Sequence, residues 1–442
     1  MSQALKALVL TALCFLIPVL IIKFVDGREN FLIEFIFILI ILQSVVFIFF
    51  IGGMLFKVYA TFSYFFFGFV PYLEYKKNIV YWGGETFSDS TYMLANITLL
   101  LANFIFLFVY KISRSNKKLI FKKIAHEKIN LNNWKAFFVI LIMVLSSVFV
   151  ALYLNNFSLI SLLVRGGEFK EMAVETSPVL SIVSTFFRAF AMFACMFYMA
   201  FSSDKLIRKI IIFIISLLAA FPLSMPRFMV AAFYIPIMLL VFPWLKAKAN
   251  LQLSLIFGLL FVFPLLNSFR AWSNLSRINF LDGFNALLEG HFDSYQSFCR
   301  VLQMDLTTWG NQLLGPLLFF VPRSVWPEKP IGSGAEMAKI ANLSFPNIAA
   351  NWYAEGYINF GFFGVLIFCI VMAYFCGKFD FVYRTLSYEF LSPFHLMYFV
   401  TAGYLFFVLR GDLMSGVSFG VGLGCAFFVV LLIARKFSKN NE

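Results

Sequence analysis

The chain has 442 residues, 62% of them hydrophobic and 13% charged, with a mean hydropathy of +0.88 and a formal net charge of +13. A soluble globular domain could not carry that composition on its surface, so lipid is the main solvent. The excess of Lys and Arg follows membrane topology and attraction to anionic lipid. Its one concentrated run, 111–135, is the only stretch suited to nucleic acid, and no nucleic-acid partner is expected.

Apolar runs of roughly 17 to 25 residues recur along the chain, the length that crosses a hydrocarbon core of about 30 Å as an α-helix. They predict an all-α polytopic bundle of about twelve spans, at 7–22, 31–55, 58–73, 91–110, 136–154, 179–201, 210–223, 228–245, 251–269, 357–377, 392–409 and 413–434. Barrel strands would be shorter and alternating. The third and seventh runs are short, so tilt, kinking at Pro71 or Pro222, or re-entrance is expected there. The first run has no small-residue cleavage site before polar sequence and reads as a retained span.

Basic residues set the orientation. Lys6, Lys57 and the segments 111–135, 205–209, 246–248, 378–384 and 435–439 hold 20 Lys and Arg, against 8 in the alternate short loops. Both termini are therefore expected on the cytoplasmic side. Cys14, Cys195, Cys369, Cys376 and Cys425 fall within apolar runs, whereas Cys299 reads as an outward-facing, exposed thiol. No internal disulfide and no metal site are expected.

Three regions follow: a transmembrane bundle at 1–269, a large outer loop at 270–356, and C-terminal spans at 357–442. The loop is far longer than a connection between neighbouring helices requires, and such loops carry function. Within it, 284–302 has apolar residues at three-to-four spacing and predicts an amphipathic helix lying on the bundle or the interface. Two helical steps put His291 and Asp293 on nearly opposite faces of such a helix unless it breaks there. The next stretch, 312–330, begins with an apolar run too short to span and ends in Pro322, Pro327 and Pro330, so it reads as re-entrant or interfacial. Gly332, Ser333 and Gly334 then open a short helix whose free N–H groups suit an anion, beside Arg323 and Lys329. Arg188 stands midway along the sixth span, where a charge costs roughly 2.5 to 3.5 kcal/mol on insertion scales and requires an interior partner or cavity. Glu34 is a candidate partner.

The loop segments YQSFCRVLQMDLTTWGNQLLGPLLFFVPRSVWPEKPIGSG (295–334) and LSFPNIAANWYAEGYINFGFFG (343–364) resemble the Wzy-type O-antigen polymerases. HFDSYQ at 291–296, LSMPRF at 223–228 and LRGD at 409–412 share the resemblance, which covers about a quarter of the chain. It implies a GT-C-like glycosyltransferase bundle in a bacterial inner membrane, with the large loop periplasmic. The reaction implied needs no nucleotide sugar and no cofactor. A glycan on undecaprenyl pyrophosphate is the donor, a new lipid-linked repeat unit is the acceptor, and a partner protein governs chain length. The family pattern of Arg, ten residues, then Gly is met by Arg323 and Gly334, while Arg165, Arg270 and Arg277 do not meet it.

Such a transfer needs cations for the departing pyrophosphate and a base for the attacking hydroxyl. Guanidinium groups suit the first role because their fork matches phosphate oxygens. Arg227, Arg270 and Arg410 end three spans at the depth of a lipid pyrophosphate, and Arg323, Lys329, Gly334 and Arg188 are further candidates for holding it. Asp293, then Glu355, then His291 are the candidate bases. Snorkelling to headgroups is the competing explanation for the arginines. O-antigen ligase remains open as an alternative, as does a lipid-linked oligosaccharide flippase, which would instead show repeated halves and broken helices with polar groups at the midplane.

Overall fold

The computed structural model describes residues 3–115, 122–163, 178–225, 227–262, 287–386 and 390–438. Among these there are helices and no strands. The principal ones are α1 (Gln3–Lys23), α2 (Phe31–Phe50), α3 (Met54–Lys76), α4 (Asp89–Ser115), α5 (Trp134–Leu154), α6 (Pro178–Phe201), α7 (Leu206–Ala219), α8 (Arg227–Val241) and α9 (Asn250–Phe257). Three short helices of the loop follow, α10 (Ser294–Gln303), α11 (Asn311–Leu317) and α12 (Ser333–Ile340), and then α13 (Trp352–Thr385), α14 (Pro393–Arg410) and α15 (Leu413–Phe437).

Nine helices among the described residues are long and apolar enough to cross a membrane. Three shorter apolar helices, Leu8–Lys23, Met229–Val241 and Asn250–Val262, stand where the first, eighth and ninth spans were expected. Polar side chains set several starts. Asn30 accepts N–H bonds from Leu32 and Ile33 to open α2, and Asn133 accepts one from Ala136 to open α5.

Burial separates a core from a lipid-facing ring. The apolar window of α3 is 94% buried, against 28% for α5, which makes α3 the central post of the bundle. It runs 23 residues, beyond the expected 58–73 at both ends, and includes a π-helical stretch, Tyr64–Phe69, in which all six residues of YFFFGF are buried. Lipid offers no hydrophobic drive between helices, so close packing and polar contacts hold them together. Here Asn103 donates to Gln43 (2.9 Å) and Ser63 (3.0 Å) and accepts from Tyr59 (2.6 Å), tying α4 to α2 and α3. Elsewhere α13 lies along α4, α8 along α14, and α6 between α5 and α15.

The largest departure from expectation is α13. Phe360 and Gly361 have non-helical dihedrals, and Gly361 lies at φ +59°. The indole N–H of Trp352 reaches the carbonyl of Phe368 at 2.7 Å. Sixteen residues of straight helix would separate those two by roughly 24 Å. The chain therefore reverses at 360–361, and 352–359 is a re-entrant arm folded back against the spanning helix. Gly356 and Gly364 allow the two backbones to meet, since a Cβ on either would strike the other's carbonyl group. Tyr353 on this arm reaches Tyr59 of α3 at 2.6 Å, so part of the expected outer loop is drawn deep into the bundle.

Candidate active site

The HFDSYQ segment does not continue as one helix. Gly290–Phe292 forms a 3-10 turn and α10 starts only at Ser294, so the break separates His291 and Asp293 from the helical face geometry expected of them. The amphipathic surface helix is also corrected. Every residue from Ser294 to Leu302 is buried, because α10 is inserted among α3, α4 and α13. Tyr295 donates to Asn96 (2.7 Å), and Gln296 donates to Glu74 (3.0 Å) and accepts the N–H of Tyr81 (2.9 Å). Cys299, expected exposed, is fully buried, and burial pushes its thiol above the ordinary value.

Asp293 sits at the start of this plug with 5% of its side chain exposed. One oxygen receives the Arg410 guanidinium at 3.0 Å, and the other receives the Trp82 indole N–H at 3.2 Å and the Ala349 N–H at 3.4 Å. With both oxygens already accepting, this carboxylate orients Arg410 and is poorly placed to take a substrate proton. Arg410 also donates from Nε to the His291 carbonyl (3.0 Å) and keeps 34% of its side-chain surface. The imidazole of His291 lies 3.6 Å from Glu289 and is 41% exposed, which makes it the accessible one among the three candidate bases.

A second cluster lies where the re-entrant arm meets the start of α15. Glu355 is buried and accepts from the Ser333 hydroxyl and the Leu413 N–H, both at 2.7 Å. Next to it Asp412 caps α15 through Ser415 (3.1 Å) and accepts the Gly334 N–H (3.2 Å). Burial holds the Asp412 carboxyl above its ordinary range despite these bonds. The glycine-rich turn thus directs its N–H to a carboxylate of the chain itself rather than to a bound anion. Both glycines have packing reasons: a Cβ on Gly332 would strike the Asp412 carboxylate, and one on Gly334 the Ile348 carbonyl.

Arg323 and Lys329 serve the loop's own backbone. Arg323 donates to the carbonyls of Lys329 (2.6 Å) and Pro330 (3.2 Å), and the buried Lys329 ammonium donates to those of Phe319 (2.7 Å) and Val321 (3.1 Å). Around them Trp309, Leu317, Phe320 and Val325 are exposed apolar side chains, in keeping with the interfacial reading of 312–330. Glu34 is not the partner of Arg188. It pairs with Lys76 at 2.9 Å and accepts from Tyr72 at 2.8 Å, whereas Arg188 donates to the Ser224 carbonyl of LSMPRF at 3.3 Å. Arg270 lies outside the described residues. Arg227 opens α8, but its side chain is likewise outside them.

Sequence reasoning missed Trp82, Arg300 and Asp412 as members of this region. Trp82, Gly83 and Gly84 all have positive φ, and Gly84 lies against the buried Arg300 guanidinium, whose Nη2 approaches the carbonyls of Tyr81 and Gly83 at 3.3 Å. The WGG tripeptide in an otherwise polar turn was the available signal. An apolar crevice of about 380 Å³ runs between α13, α14 and α15, with Tyr404 and Val408 of α14, Trp352, and Gly420, Gly424 and Phe427 of α15 on its walls. No protein-family model, curated protein or solved structure matches the chain.

Proposed function

We propose that the chain polymerises lipid-linked glycan repeat units at the outer face of a bacterial inner membrane, within a glycosyltransferase bundle of about twelve spans of the GT-C type. One observation carries this reading. Four of the stretches that carry the resemblance to Wzy-type polymerases, HFDSYQ, IGSG, YAEGY and LRGD, are spread over more than 100 residues, yet they meet in two contacts. Asp293 of HFDSYQ pairs with Arg410 of LRGD across 117 residues, and Glu355 of YAEGY joins Ser333 of IGSG to Leu413 just after LRGD.

In this mechanism the bond from the donor's anomeric carbon to the pyrophosphate oxygen breaks, and a new bond forms to a hydroxyl of the acceptor sugar. Undecaprenyl pyrophosphate leaves, and the hydroxyl proton passes to a base. Arg410 meets the charge that develops on the leaving pyrophosphate, at the level where a lipid headgroup sits. Asp293 is its positioning residue. His291 takes the proton, being accessible and beside Arg410. The apolar crevice between α13, α14 and α15 suits a polyprenyl tail. Glu355 and Asp412 fix the re-entrant arm and the start of α15 around this point.

The test is polymerisation in vitro from a defined undecaprenyl-pyrophosphate repeat unit, together with the lipopolysaccharide of a deletion strain. The expected results are polymer in the first and at most one repeat unit per lipid A core in the second. A ligase would instead leave finished polymer on the undecaprenyl carrier in the deletant. A normal ladder there would refute the proposal.

A further inference from the structure

We infer that the opposite, basic end of the bundle holds a binding site for a phosphate group, independent of the glycan reaction. A cavity of about 230 Å³ opens there between the starts of α3 and α9, the end of α13 and the start of α14. Lys57, Lys246, Lys248 and Arg384 line it, and among the described residues its one lining carboxylate is Asp380.

That carboxylate is already committed. Asp380 is fully buried and accepts the N–H groups of Leu55 (3.1 Å) and Phe56 (3.3 Å) at the start of α3, and the hydroxyls of Tyr110 (2.9 Å) and Tyr398. Among the described residues none of the four cations reaches it within salt-bridge distance. Lys57 is buried at 8% exposure and donates to the Lys248 carbonyl at 2.7 Å, which uses one of its three donors. Lys246 is half-buried beside the Phe399 ring, and burial lowers its ammonium from the ordinary value.

A second, independent feature points to a ligand. Gln252 is 1% exposed and lines the same cavity, yet its side-chain nitrogen has no hydrogen-bond partner. Buried amide donors are almost always satisfied, and an acceptor seated in the cavity would satisfy this one. Surplus cations, a guanidinium and an amide donor around a pocket of this size suit the oxygens of a phosphate. A phospholipid headgroup is one source of that chemistry, because Phe242 and Trp244, just before the lining residue Leu245, stand exposed as interfacial anchors do. Free phosphate is the other.

The experiment uses the full-length protein in detergent, delipidated and then offered phosphatidylglycerol or phosphatidylcholine, with binding read by native mass spectrometry. Thermal unfolding with and without inorganic phosphate runs in parallel. The variants are the pair Lys246→Gln with Arg384→Gln, and Gln252→Glu, which places a carboxylate in the cavity. Wild type should retain phosphatidylglycerol over phosphatidylcholine, and the variants should weaken that retention by about tenfold or more, the scale expected for charges facing a phosphate. A phosphate-dependent rise in wild-type unfolding temperature that both variants lose, without lipid retention, assigns the site to free phosphate. Equal lipid retention by wild type and variants that remain monodisperse, with no phosphate effect that the variants remove, would overturn the site.

Discussion

Replacing Asp293 by Asn tests whether Arg410 is held by a charge or merely packed. The amide keeps the shape and can still accept from Trp82 and Ala349, but its NH2 then faces the Arg410 guanidinium that now sits 3.0 Å from an oxygen. A hydrogen bond between charged groups contributes roughly 1.5 to 3 kcal/mol. Because Arg410 retains 34% of its side-chain surface, solvent screens the pair and the lower end applies, about 1.5 kcal/mol. Arg410→Gln in the Asp293→Asn background restores a donor to an acceptor, since the glutamine oxygen can take the new amide N–H. A double-mutant cycle on unfolding in mixed micelles should therefore give a coupling of about 1.5 kcal/mol. In polymer assays the double variant should be no less active than Arg410→Gln alone, because Asp293 acts through Arg410. Additivity within about 0.5 kcal/mol, or a further loss of activity in the double variant, would refute the reasoning.

The reversal in α13 makes a second prediction. Gly364→Ala drives a methyl into the backbone of Gly356 and should cost about 1 to 3 kcal/mol. Gly361→Ala meets no atom, but φ +59° with ψ −147° is a conformation essentially confined to glycine, so backbone strain alone should cost about 1 to 3 kcal/mol. An unfolding midpoint unchanged by Gly364→Ala would mean that the two arms do not touch. Cys299 should resist a water-soluble maleimide in the folded protein and react only after unfolding, and rapid labelling would show that α10 is not inserted in the bundle. Asp412 gives a pH signature. Its carboxyl lies above the ordinary value when folded, so its contribution to stability is fullest at low pH. That contribution declines as pH rises from about 4 through the raised folded value. Asp412→Asn should flatten that part of the stability curve, and an unaltered slope in the variant would count against the assignment.

Nine spans among the described residues were readable because lipid imposes one rule: a run of apolar residues of the right length must close its backbone bonds within itself. The loop obeys no such rule, and there the reading went astray in a consistent direction. Apolar residues at three-to-four spacing in 284–302 were read as one covered face, when the polar positions between them, Gln296 and Arg300, are buried as well and bond to Glu74, Ile79 and Tyr81. Those partners lie more than 200 residues away, and no local pattern encodes them. The reversal at Phe360–Gly361 was similarly hidden, because YINFGFFGVLIF satisfies helical hydropathy on either side of the turn. What the sequence did mark was chemistry. Arg410 and Asp293, candidates for different roles, are one ion pair, whereas Arg323, Lys329 and Gly334, candidates for holding an anion, satisfy carbonyls and a carboxylate of the chain itself. The difference is one of geometry. A cation in a proline-rich loop has unpaired carbonyls within reach and binds them first, whereas Arg410 at the end of a rigid helix finds one carboxylate and one carbonyl and retains exposed surface. If the proposed transfer is the reaction, fixed helix ends are where an arginine is free to meet a phosphate, which makes Arg410 the first residue to replace.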